Sequence, residues 1–161
     1  LKAFSLPSKP LDEDDLYRET LWPETKKLYA HALEVFSLDV NLSGTMICSA
    51  SKANRQEHAF IVLWKRPTDA GQESGEWCEF QRLPHHSLTI VSLQFSQFDN
   101  GQMILSASRD RTWAVFRADG DAMGYYTLYS QSRKSHDAHL RIIWSAKWYP
   151  DAWFFPLNLF I

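Results

Sequence analysis

Three side chains of this 161-residue chain could form a nucleophilic relay: Ser106, His86 and Asp110. Such a relay needs an activated serine, an imidazole to take its proton, a carboxylate to orient the imidazole and donors for the oxyanion. The surroundings argue against it. Ser106 lies inside the strand-like run Met103-Ile104-Leu105-Ser106-Ala107-Ser108, with no Gly-x-Ser-x-Gly elbow around it. Inside a strand, the three groups read instead as a network in which each satisfies the others' polar atoms. The remaining candidates for chemistry are His85 with His86, and His136 with His139, as metal ligands. Zinc takes four ligands, usually with cysteine at tight spacing, and neither Cys48 nor Cys78 is near either pair. No catalytic, metal or cofactor site is therefore expected, and no small-molecule substrate.

The same histidines head a repeated phrase. Each of His31, His86 and His139 is followed by eight residues and then a large apolar residue, Val40, Phe95 or Trp148. Ser37, Ser92 and Ser145 stand at one shared offset, and the copies begin 55 and 53 residues apart. A fixed period of this size marks a repeat architecture, which favours a binding platform over an enzyme. Within each copy the period is two, a strand signal. Strict alternation places Phe36, Leu38 and Val40 on one face, opposite Ser37 and Asp39. It does the same for Val91, Leu93 and Phe95, and for Trp144, Ala146 and Trp148, which assigns those two tryptophans to a core. Trp113 fits either a core or an interface.

Turn residues follow each copy: Asn41 to Gly44, Phe98 to Gly101, and Tyr149-Pro150-Asp151. A second strand is expected at Met46 to Ser51 and Met103 to Ser108. A third is expected at Ala59 to Trp64 and Thr112 to Phe116, with a fourth in the polar connectors 67–75 and 117–124. Lys26 to Tyr29 reads as a strand entering the first copy. No amphipathic helix of useful length is present.

The bulk numbers agree with an all-β globular segment. Apolar residues make up 45% and charged residues 22%, which excludes a disordered chain. Aromatics at 14% suit flat sheet packing. A net charge of −2 excludes bulk nucleic-acid binding, so any such contact needs a local patch. No apolar run nears the roughly 18 residues that cross a membrane as a helix. Two unclustered cysteines suggest neither a disulfide framework nor a zinc site, and so a reducing compartment.

Arg109, Arg111, Arg133, Lys134 and Arg141 fall at expected turns or strand starts. On neighbouring loops they would form a cationic rim for phosphate or an acidic partner; scattered solvated charge is the alternative. Arg109, Arg111 and Arg141 are the candidate partner-binding residues.

The histidine-led strand, the Ser-Ala-Ser strand, the Asp and the closing aromatic strand together resemble WD40 repeats. The second copy matches best, with His86, Ser106, Asp110 and Phe116 where the family's structural His, Ser/Thr, Asp and Trp stand. The first keeps His31, Ser49 and Trp64 and replaces the Asp with the insert Lys52 to His58. The third contributes His139. The resemblance implies β-propeller blades, two whole repeats plus the start of a third, too few to close a ring. It also implies that Arg109, just before the network Asp, points from the blade rim towards a partner.

The words Leu21-Trp22-Pro23-Glu24, Ser108-Arg109-Asp110-Arg111-Thr112-Trp113 and Arg141-Ile142-Ile143-Trp144-Ser145 narrow the match. From about Leu21 to Asp151 the chain is similar to the WD40 scaffold subunits of the Elongator complex. That resemblance implies a non-catalytic scaffold whose partners are the large scaffold subunit and the catalytic subunit of a machinery that modifies tRNA wobble uridines. It implies the cytoplasm, with the nucleus as a second site. A WD40 signalling or transcription adaptor is the alternative, and a weak direct tRNA contact through the basic loops is another.

The expected organisation is an acidic, proline-bearing leader at 1–27 and repeats with their following loops at 28–80 and 81–137. The first strand of a further repeat comes next, at 138–151, then an aberrant apolar tail at 152–161. The start at Leu1 suggests a piece of a longer protein, and the tail a truncated, alternatively spliced or mispredicted product. Two blades without neighbours expose sheet flanks that a ring would cover. The isolated segment is therefore predicted to be marginal and aggregation-prone, and thermal unfolding of the monomer should show no sharp transition well above room temperature.

Overall fold

A computed structural model describes residues 26–66, 76–97, 99, 101–120, 124–132 and 139–148. The run Asp12 to Asp15, the word Leu21 to Glu24, Arg133, Lys134, His136 and the segment 149–161 lie outside them. Eight strands form two four-stranded antiparallel sheets, each in sequential order. The first holds β1 (Val35–Val40), β2 (Met46–Ser51), β3 (Phe60–Lys65) and β4 (Cys78–Pro84). The second holds β5 (Ile90–Phe95), β6 (Met103–Ser108), β7 (Trp113–Ala118) and β8 (Tyr126–Gln131). Each is an all-β meander of the kind expected of an incomplete set of WD40 blades. The only helix among the described residues is one 3-10 turn, Gln56–His58. The stretch from Lys26 to Tyr29 is irregular rather than a strand, and Tyr29 is exposed.

The core lies between the sheets. Cys48, Ala50, Ile61 and Leu63 of the first meet Ile90, Leu93, Phe95 and Ile104 of the second, all buried. Gly101, at φ 85°, turns the chain beneath the Phe95 ring; a Cβ there would lie 3.2 Å from it and 3.0 Å from Asn41 Cβ. A second cluster joins Leu105, Ala107 and Val115 to Ile143 and Ala146 of the third copy.

Strict alternation fails at one point in each leading strand. The ladder shifts between Val35 and Ser37 in β1, and between Ile90 and Ser92 in β5. A bulge inserts one residue and re-aims the side chains after it. The extra residue is Phe36 in β1 and Val91 in β5. The buried positions are therefore the fourth, seventh and ninth after the histidine: Ile90, Leu93 and Phe95, then Ile143 and Ala146. Trp144, at the bulge offset, is exposed rather than in the core, while Trp148 and Trp113 are half-buried beside the second cluster. The third copy forms no ladder among the described residues; any second strand of its own would lie beyond them.

The polar positions of each leading strand reach forward into the next copy. Ser37 Oγ donates to the Ile90 carbonyl at 3.0 Å, and Ser92 Oγ donates to the Ala146 carbonyl at 3.1 Å. The Asp39 carboxylate accepts from Phe95 N–H at 2.7 Å, and the Gln94 amide oxygen accepts from Trp148 N–H at 2.8 Å. At the outer wall, the Gln81 side chain pairs with both backbone groups of Tyr126 at 2.8 Å each. Replacing Phe95 with alanine should cost about 3–5 kcal/mol. The same change at the exposed Leu128 should cost about 0.5 kcal/mol or less. Denaturant midpoints of the two variants check this.

Candidate functional site

Ser106, His86 and Asp110 come together, and all are buried. His86 Nε2 lies 2.9 Å from Ser106 Oγ. His86 Nδ1 lies 3.2 Å from Asp110 Oδ2 and 3.1 Å from Thr112 Oγ1. The carboxylate is saturated: Ser87 N–H donates to one oxygen, and Thr112 donates to the other through both its N–H and its hydroxyl. Burial alone would raise the Asp110 pKa. The hydrogen bonds from His86 and Thr112, the His86 charge and the Ser87 amide outweigh it and hold the carboxyl well below its usual range. Ser106 is 0% exposed and also contacts the Ala114 carbonyl at 3.2 Å. A serine sealed in this way has no route to a substrate. The network ties the loop before β5 to the turn between β6 and β7.

The first sheet carries the other half of the chain of bonds. Trp64 Nε1 donates to Ser49 Oγ at 2.8 Å, and Ser49 Oγ lies 2.8 Å from His31 Nε2. The indole can only donate; with the serine proton given to Nε2, the ring proton sits on Nδ1. That Nδ1 is buried and finds no partner among the described residues. The insert Lys52 to His58 supplies no counterpart of Asp110. Burial, then the nearby Arg82 charge, lowers the His31 pKa, against a smaller opposing effect of Glu79. In the second sheet, Phe116 has no donor to offer Ser106. Among the described residues His139 contributes its backbone N–H, to the Arg111 carbonyl at 3.2 Å.

Arg109, Arg111 and Arg141 are exposed. Arg109 and Arg111 flank Asp110 on the β6–β7 turn, and Arg141 comes two residues after His139, which that turn holds. None of the three joins an ion pair among the described residues. By contrast, Lys52 pairs with Glu34 and Arg55 with Glu57. Arg111 sits at φ 70°, a strained conformation for a residue with a Cβ. Ser108 Oγ and the Ser108 carbonyl brace the turn by accepting the Asp110 and Arg111 amides.

Sequence reasoning missed Thr89, Ser108 and Thr112. Thr89 Oγ1 bonds both backbone groups of Ala53 across the gap between sheets, and Arg109 N–H donates to the Thr89 carbonyl. Each is a small hydroxyl at a strand end, a signal too common to single out. Among the described residues no cluster of three or more His, Cys, Asp or Glu could hold a metal.

No protein-family model matches the chain. It is similar to Elongator complex protein 2 of Danio rerio, 42% identical over 151 residues, 92% of this chain and 17% of that protein. The Homo sapiens protein of the same name is 37% identical over 155 residues, 94% of this chain and 18% of that protein. The one from Saccharomyces cerevisiae is 36% identical over 147 residues, 91% and 17%. The chain thus spans about 17% of the length of these relatives.

Asp110→Ala should destabilise the protein by about 3 kcal/mol, because it strands His86 and Thr112, and Ser106→Ala by about 1 kcal/mol. Both depressed pKa values give stability that is full at neutral pH. The His31 share is lost as pH falls below 6.5, and the Asp110 share only below about 4. Denaturant unfolding across pH, with Asp110→Ala losing the acid limb, checks the order.

Proposed function

We propose that this chain, which belongs over the stretch it covers to the Elongator complex protein 2 family, acts as a non-catalytic scaffold element of the Elongator complex. In this reading it supports assembly of the machinery that modifies tRNA wobble uridines, in the cytoplasm and secondarily in the nucleus. Its partners are the large scaffold subunit and the catalytic subunit. The carrying observation is a contrast. The one His–Asp–Ser group is sealed in the core, while Arg109, Arg111 and Arg141 stand exposed and outside any ion pair among the described residues, on a braced turn and the loop bonded to it. Fixed loops with available charge suit binding, since little ordering entropy opposes the contact.

The test is affinity purification of the full-length protein carrying Arg109→Glu, Arg111→Gly and Arg141→Glu. Glycine at 111 keeps the positive φ and removes the charge. Recovery of Elongator partners is expected to fall at least tenfold with unchanged thermal stability; unchanged recovery overturns the reading. A direct RNA contact would appear instead as tRNA affinity of the purified protein that falls steeply with salt and loses slope in the variant.

A further inference from the structure

The turn that carries Arg109 and Arg111 is tied backwards, to the sheet before its own. Arg109 N–H donates to the Thr89 carbonyl at 3.0 Å, and Ser108 Oγ donates to the same carbonyl at 3.0 Å. Thr89 is buried, and it holds Ala53 of the insert Lys52 to His58 by three bonds. Thr89 N–H donates to the Ala53 carbonyl at 3.0 Å, Ala53 N–H donates to Thr89 Oγ1 at 2.9 Å, and Oγ1 donates to the Ala53 carbonyl at 3.1 Å. Within the insert Ala53 is 1% exposed, while Lys52 and residues 54–57 face solvent.

The other copies show which of these bonds is general. Three residues after the leading histidine stand Glu34, Thr89 and Ile142. The Glu34 carbonyl accepts Lys52 N–H at 2.9 Å, as the Thr89 carbonyl accepts Arg109. The Glu34 side chain pairs with Lys52 of its own sheet. Of the three, Thr89 alone brings a hydroxyl, and that hydroxyl reaches the sheet before. We infer that Thr89 is a positioning residue for the arginine surface: its hydroxyl registers the turn of Arg109 and Arg111 against the insert of the first sheet. This rests on the reading of those arginines as partner contacts. Arginine grips a carboxylate through two parallel N–H bonds in one plane, so the placement of its backbone counts as well as its charge. Without the hydroxyl, Ala53 N–H loses its acceptor and the residue that holds Arg109 is loosened.

The test uses the full-length protein. Thr89→Val keeps the shape of the side chain and loses the hydroxyl; Thr89→Ser keeps the hydroxyl. Recovery of Elongator partners should fall at least about fivefold in the first and less than about twofold in the second. Exchange of the Arg109 amide should quicken at least about tenfold in Thr89→Val, with that of Leu105, in the middle of β6, held within about threefold. Added to the triple arginine variant, Thr89→Val should cost less than about twofold more; a merely structural threonine would add its full loss. Unchanged Arg109 exchange in Thr89→Val overturns the inference, as does full additivity with the arginine substitutions. Unchanged recovery in the arginine variant, with quickened Arg109 exchange in Thr89→Val, overturns the partner reading alone, and Thr89 then still positions the turn. Should Thr89→Val fail to fold, the unaltered protein decides: the Arg109 amide should exchange at least about tenfold slower than that of Lys52, and equal rates overturn the inference.

Discussion

Everything else in this molecule depends on how one leading strand is held by the copy before it. A sheet of four short strands cannot bury both faces by itself. Here the Asp39 carboxylate grips Phe95 N–H while the Phe95 side chain is buried in the cluster that holds Cys48, Ile61 and Leu63 of the first sheet. The polar contact sets register and the apolar one supplies most of the stabilisation, about 1.5–3 kcal/mol for a ring of this size. Gln94 and Trp148 repeat the polar contact with an amide in place of the carboxylate. The acceptor matters, not its charge.

The buried networks serve the same end at the upper edge. In the second sheet His86, Ser106, Asp110 and Thr112 close on themselves. In the first, Trp64, Ser49 and His31 run in line and stop at an Nδ1 that meets no partner among the described residues. The two halves show which links are separable. Loss of the tryptophan leaves Ser106 to a backbone carbonyl; loss of the aspartate leaves a buried ring nitrogen with no partner among the described residues. The second loss is costlier, since an unsatisfied buried polar group forfeits its full desolvation energy. The closed network is also the one beneath the exposed arginines, so the turn that presents them is the better braced.

Much of this was legible in the residues. The histidine-led phrase marked two meanders and the Ser-Ala-Ser words gave β2 and β6 to the residue, but the fourth strands expected in the connectors 67–75 and 117–124 form later, as β4 (Cys78–Pro84) and β8 (Tyr126–Gln131). The grouping of His86, Ser106 and Asp110 came from their places in the repeat. What escaped was the bulge: a one-residue insertion leaves no mark in a run of alternating side chains, and Trp144, at the same offset in the third copy, is exposed where a core position was expected. The expected strand at Lys26 to Tyr29 failed because propensity without a ladder partner does not make a strand. The Thr89 and Gln81 contacts escaped because they depend on which sheets become neighbours.

The Gln81 side chain has a mechanical consequence. It fastens β4 to Tyr126 at the outer wall, while Asp39 and Ser37 fasten β1 to β5 at the inner one. Two plates joined along one edge can swing like the covers of a book; joined along both, they cannot. The wedge angle between the sheets is thereby locked, and a pull on one sheet is carried through to the next as a rigid-body displacement and not dissipated in a hinge.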